Sequence, residues 1–278
     1  GVKLRTALAT YAKAGGKDAA LLLHSQQAGT ALIEDLGRAA MLKKTVRGVP
    51  ARVIPLSLWH TASVGLDVWL TAFAYGASQV WVLMTDEEAP QYVDAVRAQM
   101  AVAQAIVNGL GYTGTHFRLI QANDVAALDS QLSVPAAQSV KRRASFAVQA
   151  EKRATLDLAI DHLLQDSATL PGARPEAVPL PAAALYGAIE VNRDTCTLCL
   201  SCVSACPASA LQDNTERPQL RFIEKNCVQC GLCATTCPED AITLQPRLLL
   251  TEQRKQLRVL NEAQPYHCIR CAKPFGTL

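Results

Sequence analysis

No cysteine occurs in the first 195 residues of this 278-residue chain, although the chain contains ten cysteines in all. Without cysteine, the N-terminal two thirds of the chain cannot bind a metal cluster through thiolates. Long uncharged runs are also missing, because Asp67 and several glutamines interrupt the apolar stretches before the roughly eighteen residues that a membrane span needs. The sequence therefore predicts no transmembrane helix.

A phosphate-binding glycine loop is missing as well. Residues 109–114 match G-x-G-x-x-G, but they follow a predicted helix and precede a predicted strand, whereas a dinucleotide fingerprint follows a strand and opens a helix. Gly109 or Gly111 is better explained as a left-handed helix cap. This order disfavours, without removing, the alternative of a flavin- or nicotinamide-dependent oxidoreductase whose N-terminal domain binds the cofactor.

Charge is modest overall and uneven along the chain. The net charge is +3, the isoelectric point is about 8.3, and 50% of the residues are apolar, which is typical of a globular protein of one to three domains. Residues 183–245 carry four basic and seven acidic side chains, whereas residues 246–278 carry six and two. The basic tail is expected to fold back on the acidic segment or to steer an acidic partner. It lacks the aromatic interleaving of nucleic-acid-binding surfaces, so no nucleic-acid partner is predicted.

Eight of the cysteines form two copies of one pattern, C-x-x-C-x-x-C-x-x-x-C followed by proline. The copies are Cys196, Cys199, Cys202 and Cys206 before Pro207, and Cys227, Cys230, Cys233 and Cys237 before Pro238. This is the bacterial ferredoxin signature for iron–sulfur clusters. Zinc ribbons use separated pairs of C-x-x-C, and disulfides suit small secreted chains. The pattern predicts two 4Fe-4S clusters in a reducing compartment, with the cytoplasm as the default.

The spacing also predicts crossed ligation. Three thiolates two residues apart surround one cluster, and the fourth cysteine reaches the other cluster. Set I is then Cys196, Cys199, Cys202 and Cys237, and set II is Cys227, Cys230, Cys233 and Cys206. Residues 183–245 closely resemble bacterial two-cluster ferredoxins, and the resemblance implies low-potential transfer of single electrons.

The first 135 residues alternate between helical and strand-like segments. Predicted strands cover residues 19–24, 52–56, 79–84 and 116–121, and predicted helices cover 3–14, 27–40, 63–75, 89–108 and 124–131. Short apolar strands separated by helices are typical of a parallel sheet covered on both faces. The fold class is therefore α/β, with a flavodoxin- or Rossmann-like N-terminal domain followed by an α+β two-cluster ferredoxin domain.

Two stretches of this domain carry a further resemblance. GVPARVIPLSLWHTASVGLDVWLTAFAYGASQVWVLM (48–84) and HFRLIQANDVAALDSQL (116–132) resemble the delta-subunit family of methyl-viologen-reducing hydrogenases, also found fused to heterodisulfide reductase. Members carry strand-end cysteines that hold a 2Fe-2S cluster between a hydrogenase or formate dehydrogenase and a flavin subunit. The corresponding places here hold His24, Ser25, Trp59, Thr85 and Asp86. The resemblance therefore implies docking or scaffolding without a cluster.

The remaining segments divide the chain. Residues 137–168 are predicted to form one long helix, either a solvated cover for the sheet or a docking surface. Four prolines between residues 169 and 184 indicate an extended linker. The predicted domains are 1–136 (docking), 137–182 (helix and linker), 183–246 (ferredoxin) and 247–278 (basic tail).

The tail ends with one C-x-x-C pair, Cys268 and Cys271. A tetrahedral zinc site needs four ligands, so this pair is half of a zinc ribbon, a redox-active dithiol or a pair of packing thiols. Its CxxC-x-KPF segment is similar to one in ferredoxin-like proteins associated with formate dehydrogenase.

Together these features predict an electron-transfer protein, not itself catalytic. Two 4Fe-4S clusters would relay electrons for a larger redox enzyme of the formate dehydrogenase or hydrogenase type, or for a soluble donor or acceptor. A scaffold with a zinc-binding tail is the third hypothesis.

Overall fold

A computed structural model describes residues 1–42, 45–168 and 175–277. The chain divides into two compact units, Gly1–Arg174 and Pro175–Leu278, so the division lies inside the predicted linker. Within the described residues, no helix combines the length and the apolar character that crossing a bilayer requires.

The first unit is built on a four-stranded parallel sheet, which confirms the predicted α/β class. Its strands are β1 (Ala20–Ser25), β2 (Val53–Leu58), β3 (Gln79–Met84) and β4 (Phe117–Gln121), in the order β2-β1-β3-β4. This order is that of doubly wound flavodoxin-like sheets. The two central strands, β1 and β3, are buried along their whole length, as their continuous apolar sequences predict.

Among the described residues, six α-helices accompany this sheet. They are α1 (Val2–Lys13), α2 (Ala28–Leu42), α3 (Leu66–Ala74), α4 (Pro90–Gly109), α5 (Val125–Leu132) and α6 (Lys152–Ser167). Helices α2 and α5 pack on one sheet face around Trp81, while α3 contacts α4 and α6. Helix α4 ends where Gly111 adopts a φ of 92° and donates its N–H to Asn108 O at 2.9 Å, which confirms the predicted left-handed cap.

The predicted helix over residues 137–168 is wrong in its first half. Helix α6 begins only at Lys152, and residues 133–151 form no helix. Their backbone groups are used by distant partners instead: Ala144 N donates to Ala74 O at 2.8 Å, and Phe146 O accepts from Tyr75 Oη at 2.8 Å. A backbone N–H or C=O group can form its hydrogen bond with a distant residue as well as within a helix. In this segment the long-range hydrogen bonds replace the helical ones.

The described residues of the second unit form short antiparallel strands, two short α-helices and two 3-10 turns. The strands are β5 (Ala177–Pro179), β6 (Gly187–Val191), β7 (Leu211–Gln212), β8 (Gln219–Ile223), β9 (Ile242–Leu249), β10 (Leu257–Glu262), β11 (Pro265–His267) and β12 (Pro274–Thr277), and the helices are α7 (Ser201–Ala205) and α8 (Leu232–Thr235). They form the sheets β5-β9-β6 and β10-β8-β7 and the hairpin β11-β12.

The unit extends beyond the predicted ferredoxin boundaries of 183 and 246 at both ends. Strand β5 lies in the segment predicted as linker and pairs with β9, which continues past residue 246. Part of the basic tail folds back, since β10 pairs with β8 and places Leu260 in the core. Both additions extend a sheet by one strand.

Candidate metal centres

Two cavities in the second unit are each lined by four cysteines. The first is lined by Cys196, Cys199, Cys202 and Cys237, and the second by Cys206, Cys227, Cys230 and Cys233. Each cavity thus combines the first three cysteines of one motif with the last cysteine of the other. The eight residues that the sequence singles out are brought together in the two sets, I and II, that crossed ligation predicts.

Left-handed backbone residues shape the loops around both cavities. In the first loop Leu198 and Leu200 have φ values of 55° and 60°, and in the second Gln229 and Gly231 have φ values of 53° and 82°. Each pair lies two and four residues after the first cysteine of its motif. Three of the four are not glycine, and a left-handed conformation costs such a residue about 1–2 kcal/mol. The rest of the unit must therefore impose these turns, which bring three cysteines to one cavity.

Donors approach the sulfurs of both sets. Ala210 N donates to Cys206 Sγ at 3.3 Å, and Ala241 N donates to Cys237 Sγ at 3.4 Å. Each donor lies four residues after its cysteine, where Ser209 and Asp240, both left-handed, turn the chain back. Hydrogen bonds to ligand sulfurs stabilise negative charge and so raise the reduction potential of a bound cluster.

Burial keeps part of each set protonated when no metal is bound. Desolvation, reinforced by neighbouring cysteines, raises the pKa of Cys202 to about 11 and that of Cys233 to about 11. Burial also raises the pKa of Cys227. Metal ligation requires thiolates, so cluster assembly here must release protons. Exposed Cys199 differs, because a hydrogen bond with Ser201 lowers its pKa.

The number of thiols at each cavity suits a 4Fe-4S cluster. No group of three or more His, Cys, Asp or Glu side chains among the described residues converges closely enough to hold one metal ion. A zinc ion draws its thiolates to about 2.3 Å from one point, whereas each thiolate of a 4Fe-4S cluster binds its own iron. Each cavity is lined by four cysteines, one for each iron of such a cluster.

The cysteine pair of the tail lies elsewhere, at the turn of the β11-β12 hairpin. Cys268 N donates to Lys273 O at 2.9 Å, and Ala272 N donates to Cys268 O at 2.9 Å. Backbone N–H groups of Cys271 and Arg270 lower the pKa of the Cys268 thiol. Neither cysteine lines either cavity.

The strand ends of the first unit form a hydrogen-bonded network. Ser25 Oγ donates to Glu87 Oε2 at 2.9 Å and accepts from Gly29 N at 2.9 Å. This N–H, in the first turn of α2, is where a doubly wound fold would meet a phosphate. A carboxylate beside it repels a phosphate, so this crevice does not favour the nucleotide-binding alternative.

The acidic run at residues 86–88 precedes α4 and does not form its first turn. Glu88 is buried and accepts from Thr61 Oγ1 at 2.7 Å and from Thr85 N at 2.8 Å. His60 Nδ1 accepts from Ala62 N at 3.1 Å, as expected of a structural histidine. Trp59, in contrast, is 85% exposed.

Three residues that matter to the centres were not identified from the sequence. Gln229 Nε2 donates to Cys227 Sγ at 3.3 Å, Glu239 lines the set I cavity, and Glu224 is buried close to set II. Comparing equivalent positions of the two motifs reveals the first two, because Gln229 corresponds to Leu198 and Glu239 to Ala208. No sequence signal identifies Glu224, whose partners are distant in the chain.

The comparisons with known proteins concern this second unit. The family model of the 4Fe-4S dicluster domain matches residues 195–242. A ferredoxin from Pyrobaculum islandicum is 35% identical over 60 residues, which cover 22% of this chain and 55% of the ferredoxin. The chain thus spans about half the length of the curated relative that it matches. Residues 195–242 are accordingly a ferredoxin-type 4Fe-4S dicluster domain within a longer chain.

Proposed function

We propose that this chain is an electron-transfer iron–sulfur protein that relays single electrons through two 4Fe-4S clusters. The observation that carries the proposal is the pair of equivalently built cavities, each lined by three cysteines of one motif and one of the other. A 4Fe-4S cluster, when bound, supplies reversible one-electron chemistry at low potential.

In this relay the protein binds the clusters, shields them from water and adjusts their reduction potentials. The thiolates of sets I and II are the proposed ligands, and the N–H groups of Ala210 and Ala241 offset part of the charge on Cys206 and Cys237. Apolar side chains such as Leu220 and Phe222 line the cavities and exclude water. Cys199 and Cys230 are exposed, so each set has one ligand that a redox partner can approach.

Anaerobic reconstitution followed by iron and acid-labile sulfide analysis tests this function. We expect about eight irons and eight sulfides per chain. A Cys268→Ser, Cys271→Ser variant is the matched control and should retain the full content, because the tail pair lines neither cavity. Far fewer than eight irons in the unaltered chain would refute the two-cluster relay.

We further propose that the first unit docks the relay onto a larger redox enzyme of the formate dehydrogenase or hydrogenase type. The delta-subunit resemblance supports this proposal, and so does Trp59, a large aromatic side chain that is 85% exposed at the carboxyl end of β2. Exposed aromatics are frequent anchors of protein interfaces.

Affinity capture of the intact chain, followed by mass spectrometry of its partners, tests the docking proposal. We expect the unaltered chain to capture a formate dehydrogenase or a hydrogenase. The Trp59→Ala variant should no longer capture this enzyme. Met41→Ala is the control, since Met41 is 83% exposed but lies at the far end of α2, away from the carboxyl edge of the sheet. Equal capture by both variants would contradict a role for Trp59.

For the tail we propose that Cys268 and Cys271 are two ligands of a zinc site completed by residues from elsewhere. Their position at a hairpin turn, with backbone N–H groups that favour the Cys268 thiolate, supports this proposal. Zinc analysis of the purified chain and of a Cys268→Ser variant tests it, and equal zinc contents would refute it.

A further inference from the structure

The repeated motif allows the surroundings of the two cavities to be compared position by position. Glu239 lies two residues after Cys237 and lines the set I cavity. Its equivalent, two residues after Cys206, is Ala208, which lines the set II cavity. One cavity therefore has a carboxylate at a position where the other has a methyl group.

The second difference between the cavities concerns Arg258, a cation close to the set II cavity. Strand β8 contributes Leu220 to the set I cavity and Phe222 to the set II cavity. In the pairing of β8 with β10, Leu220 faces neutral Asn261, whereas Phe222 faces Arg258. The guanidinium of Arg258 lies 5.2 Å from the centre of the Phe222 ring, so one side chain separates it from the set II cavity.

Arg258 belongs to a group of ion pairs near set II. Its Nη2 lies 3.7 Å from Glu224 Oε2, but the same carboxylate already holds Arg247 by two hydrogen bonds of 2.9 and 2.8 Å. The carboxylate of Glu190 also attracts both guanidinium groups, and that of Glu176 attracts Arg247, so loss of the Arg258 charge would leave an excess of negative charge near set II.

Side chains also form hydrogen bonds with sulfurs in both sets. Set II has the bond from Gln229 to Cys227 at 3.3 Å, and set I has the contact between Ser201 Oγ and Cys199 Sγ at 3.5 Å. Thr197 also forms a hydrogen bond with Cys199, so these contacts do not separate the two sets as the charges do. The carboxylate of Glu239 at set I and the guanidinium of Arg258 near set II therefore favour an added electron at set II.

We propose that Glu239 and Arg258 tune the two centres apart, so that set I has the more negative reduction potential and the first electron taken up resides at set II. This inference rests on the proposed relay. Nearby charge acts directly on cluster potential, since an added electron is repelled by a carboxylate and attracted by a guanidinium. Glu239 and Arg258 act through space and touch no reacting atom.

This difference gives the relay a direction. A low-potential one-electron donor supplies each electron on the side of exposed Cys199, and a one-electron acceptor removes it on the side of exposed Cys230. No covalent bond forms or breaks, and each electron that enters leaves, so the protein is unchanged after each transfer.

Redox titration of the reconstituted full chain, followed by electron paramagnetic resonance, tests the proposal. We expect two separate one-electron steps. Glu239→Gln should shift the lower step to a more positive potential and leave the upper step in place. Ala208→Glu should shift the upper step to a more negative potential, and so should Arg258→Met. Glu252→Gln removes a charge that pairs with Lys255 on the surface and should move neither step.

The outcomes separate this inference from the proposed function. A chain with about eight irons whose two steps coincide, or in which Glu239→Gln moves the upper step or neither step, overturns the tuning proposal and leaves the relay intact. A chain that takes up far fewer irons overturns both. Iron content measured on each variant distinguishes a shifted potential from a lost cluster.

Discussion

Glu224 accepts two hydrogen bonds from Arg247, one from Nε to Oε1 at 2.9 Å and one from Nη2 to Oε2 at 2.8 Å. Glu224 lies in a 3-10 turn just before Cys227, and Arg247 lies on β9. The carboxylate is only 6% exposed. This bidentate pair connects the loop that carries three set II cysteines to β9, the central strand of the β5-β9-β6 sheet.

Glu224→Gln should destabilise the second unit, because an amide cannot balance the charge of Arg247 and Arg258. Arg247 retains 29% of its side-chain exposure, so water recovers part of the loss and we expect about 1–3 kcal/mol. The measurement is the urea concentration at which cluster absorbance disappears under anaerobic conditions. Glu252→Gln, which breaks an exposed pair with Lys255, should change stability by less than about 0.5 kcal/mol. Equal midpoints for the two variants would contradict a structural role for Glu224.

Asp166 has a comparable role in the first unit. Its fully buried carboxylate accepts from Tyr112 Oη at 2.9 Å, from Lys141 N at 3.0 Å and from Arg142 N at 2.8 Å. Asp166→Asn should cost about 2–4 kcal/mol, because the amide N–H₂ would face a donor. Tyr112→Phe removes the hydrogen bond to Asp166 and the longer one to Leu163 O at 3.5 Å but keeps the carboxylate, and it should cost about 1 kcal/mol.

Tryptophan fluorescence in a urea titration measures both losses, since Trp59, Trp69 and Trp81 all lie in the first unit. If Asp166→Asn unfolds at the same urea concentration as the unaltered chain, the carboxylate does not hold residues 141–142 against α6.

The stability of the first unit should also fall in mild acid. Burial lowers the pKa of His116 and of His24 below the ordinary value of 6.5. The neutral His116 ring is held by Gln138 O, 2.9 Å from Nε2, and by Gln104 Nε2, 3.2 Å from Nδ1. Below pH 6.5 the unfolded chain binds protons that the folded chain does not, so stability is complete above this pH and is lost as the pH falls toward the folded pKa values.

Urea midpoints from tryptophan fluorescence at pH 7.5 and pH 5.5 measure this effect. His116→Gln cannot take up a proton and should show a smaller difference between the two pH values, whatever its own stability. An undiminished difference in this variant would assign the pH dependence to His24 or to other groups.

The sequence predicts the first unit well where the signal is local. Strand β3 is predicted within its observed bounds, because residues 79–84 form one apolar run between turn signals. Residues 137–151 are the counterexample. Their composition favours a helix, but the backbone bonds to Ala74, Tyr75 and Asp166 depend on residues far away in the sequence, and periodicity carries no information about them.

At the candidate metal centres, too, local features are predictable from the sequence and long-range features are not. Cysteine spacing is local information, and it suffices to predict which four side chains line each cavity. The charges of Arg247 and Arg258 reach the region of set II through strand pairing, which the spacing does not specify. The cysteines that line each cavity are therefore predictable from the sequence, whereas the charges around the cavities are not.

Crossed ligation can be tested by iron counts alone. Cys206→Ala should leave about four irons per chain, because the set I cluster keeps all of its ligands. Adding Cys227→Ala should cause no further loss, since both cysteines belong to set II. Adding Cys196→Ala instead should reduce the content to almost none, because it disables the remaining cluster.

Ligation within each motif predicts the reverse order. Cys206 and Cys196 would then serve one cluster, so their double variant would keep about four irons, while the Cys206 and Cys227 double variant would keep almost none. The reciprocal series starts from Cys237→Ala, which should retain about four irons when combined with Cys196→Ala and lose them with Cys227→Ala. Agreement of both series distinguishes shared ligands from general unfolding, because unfolding would abolish both clusters in every double variant.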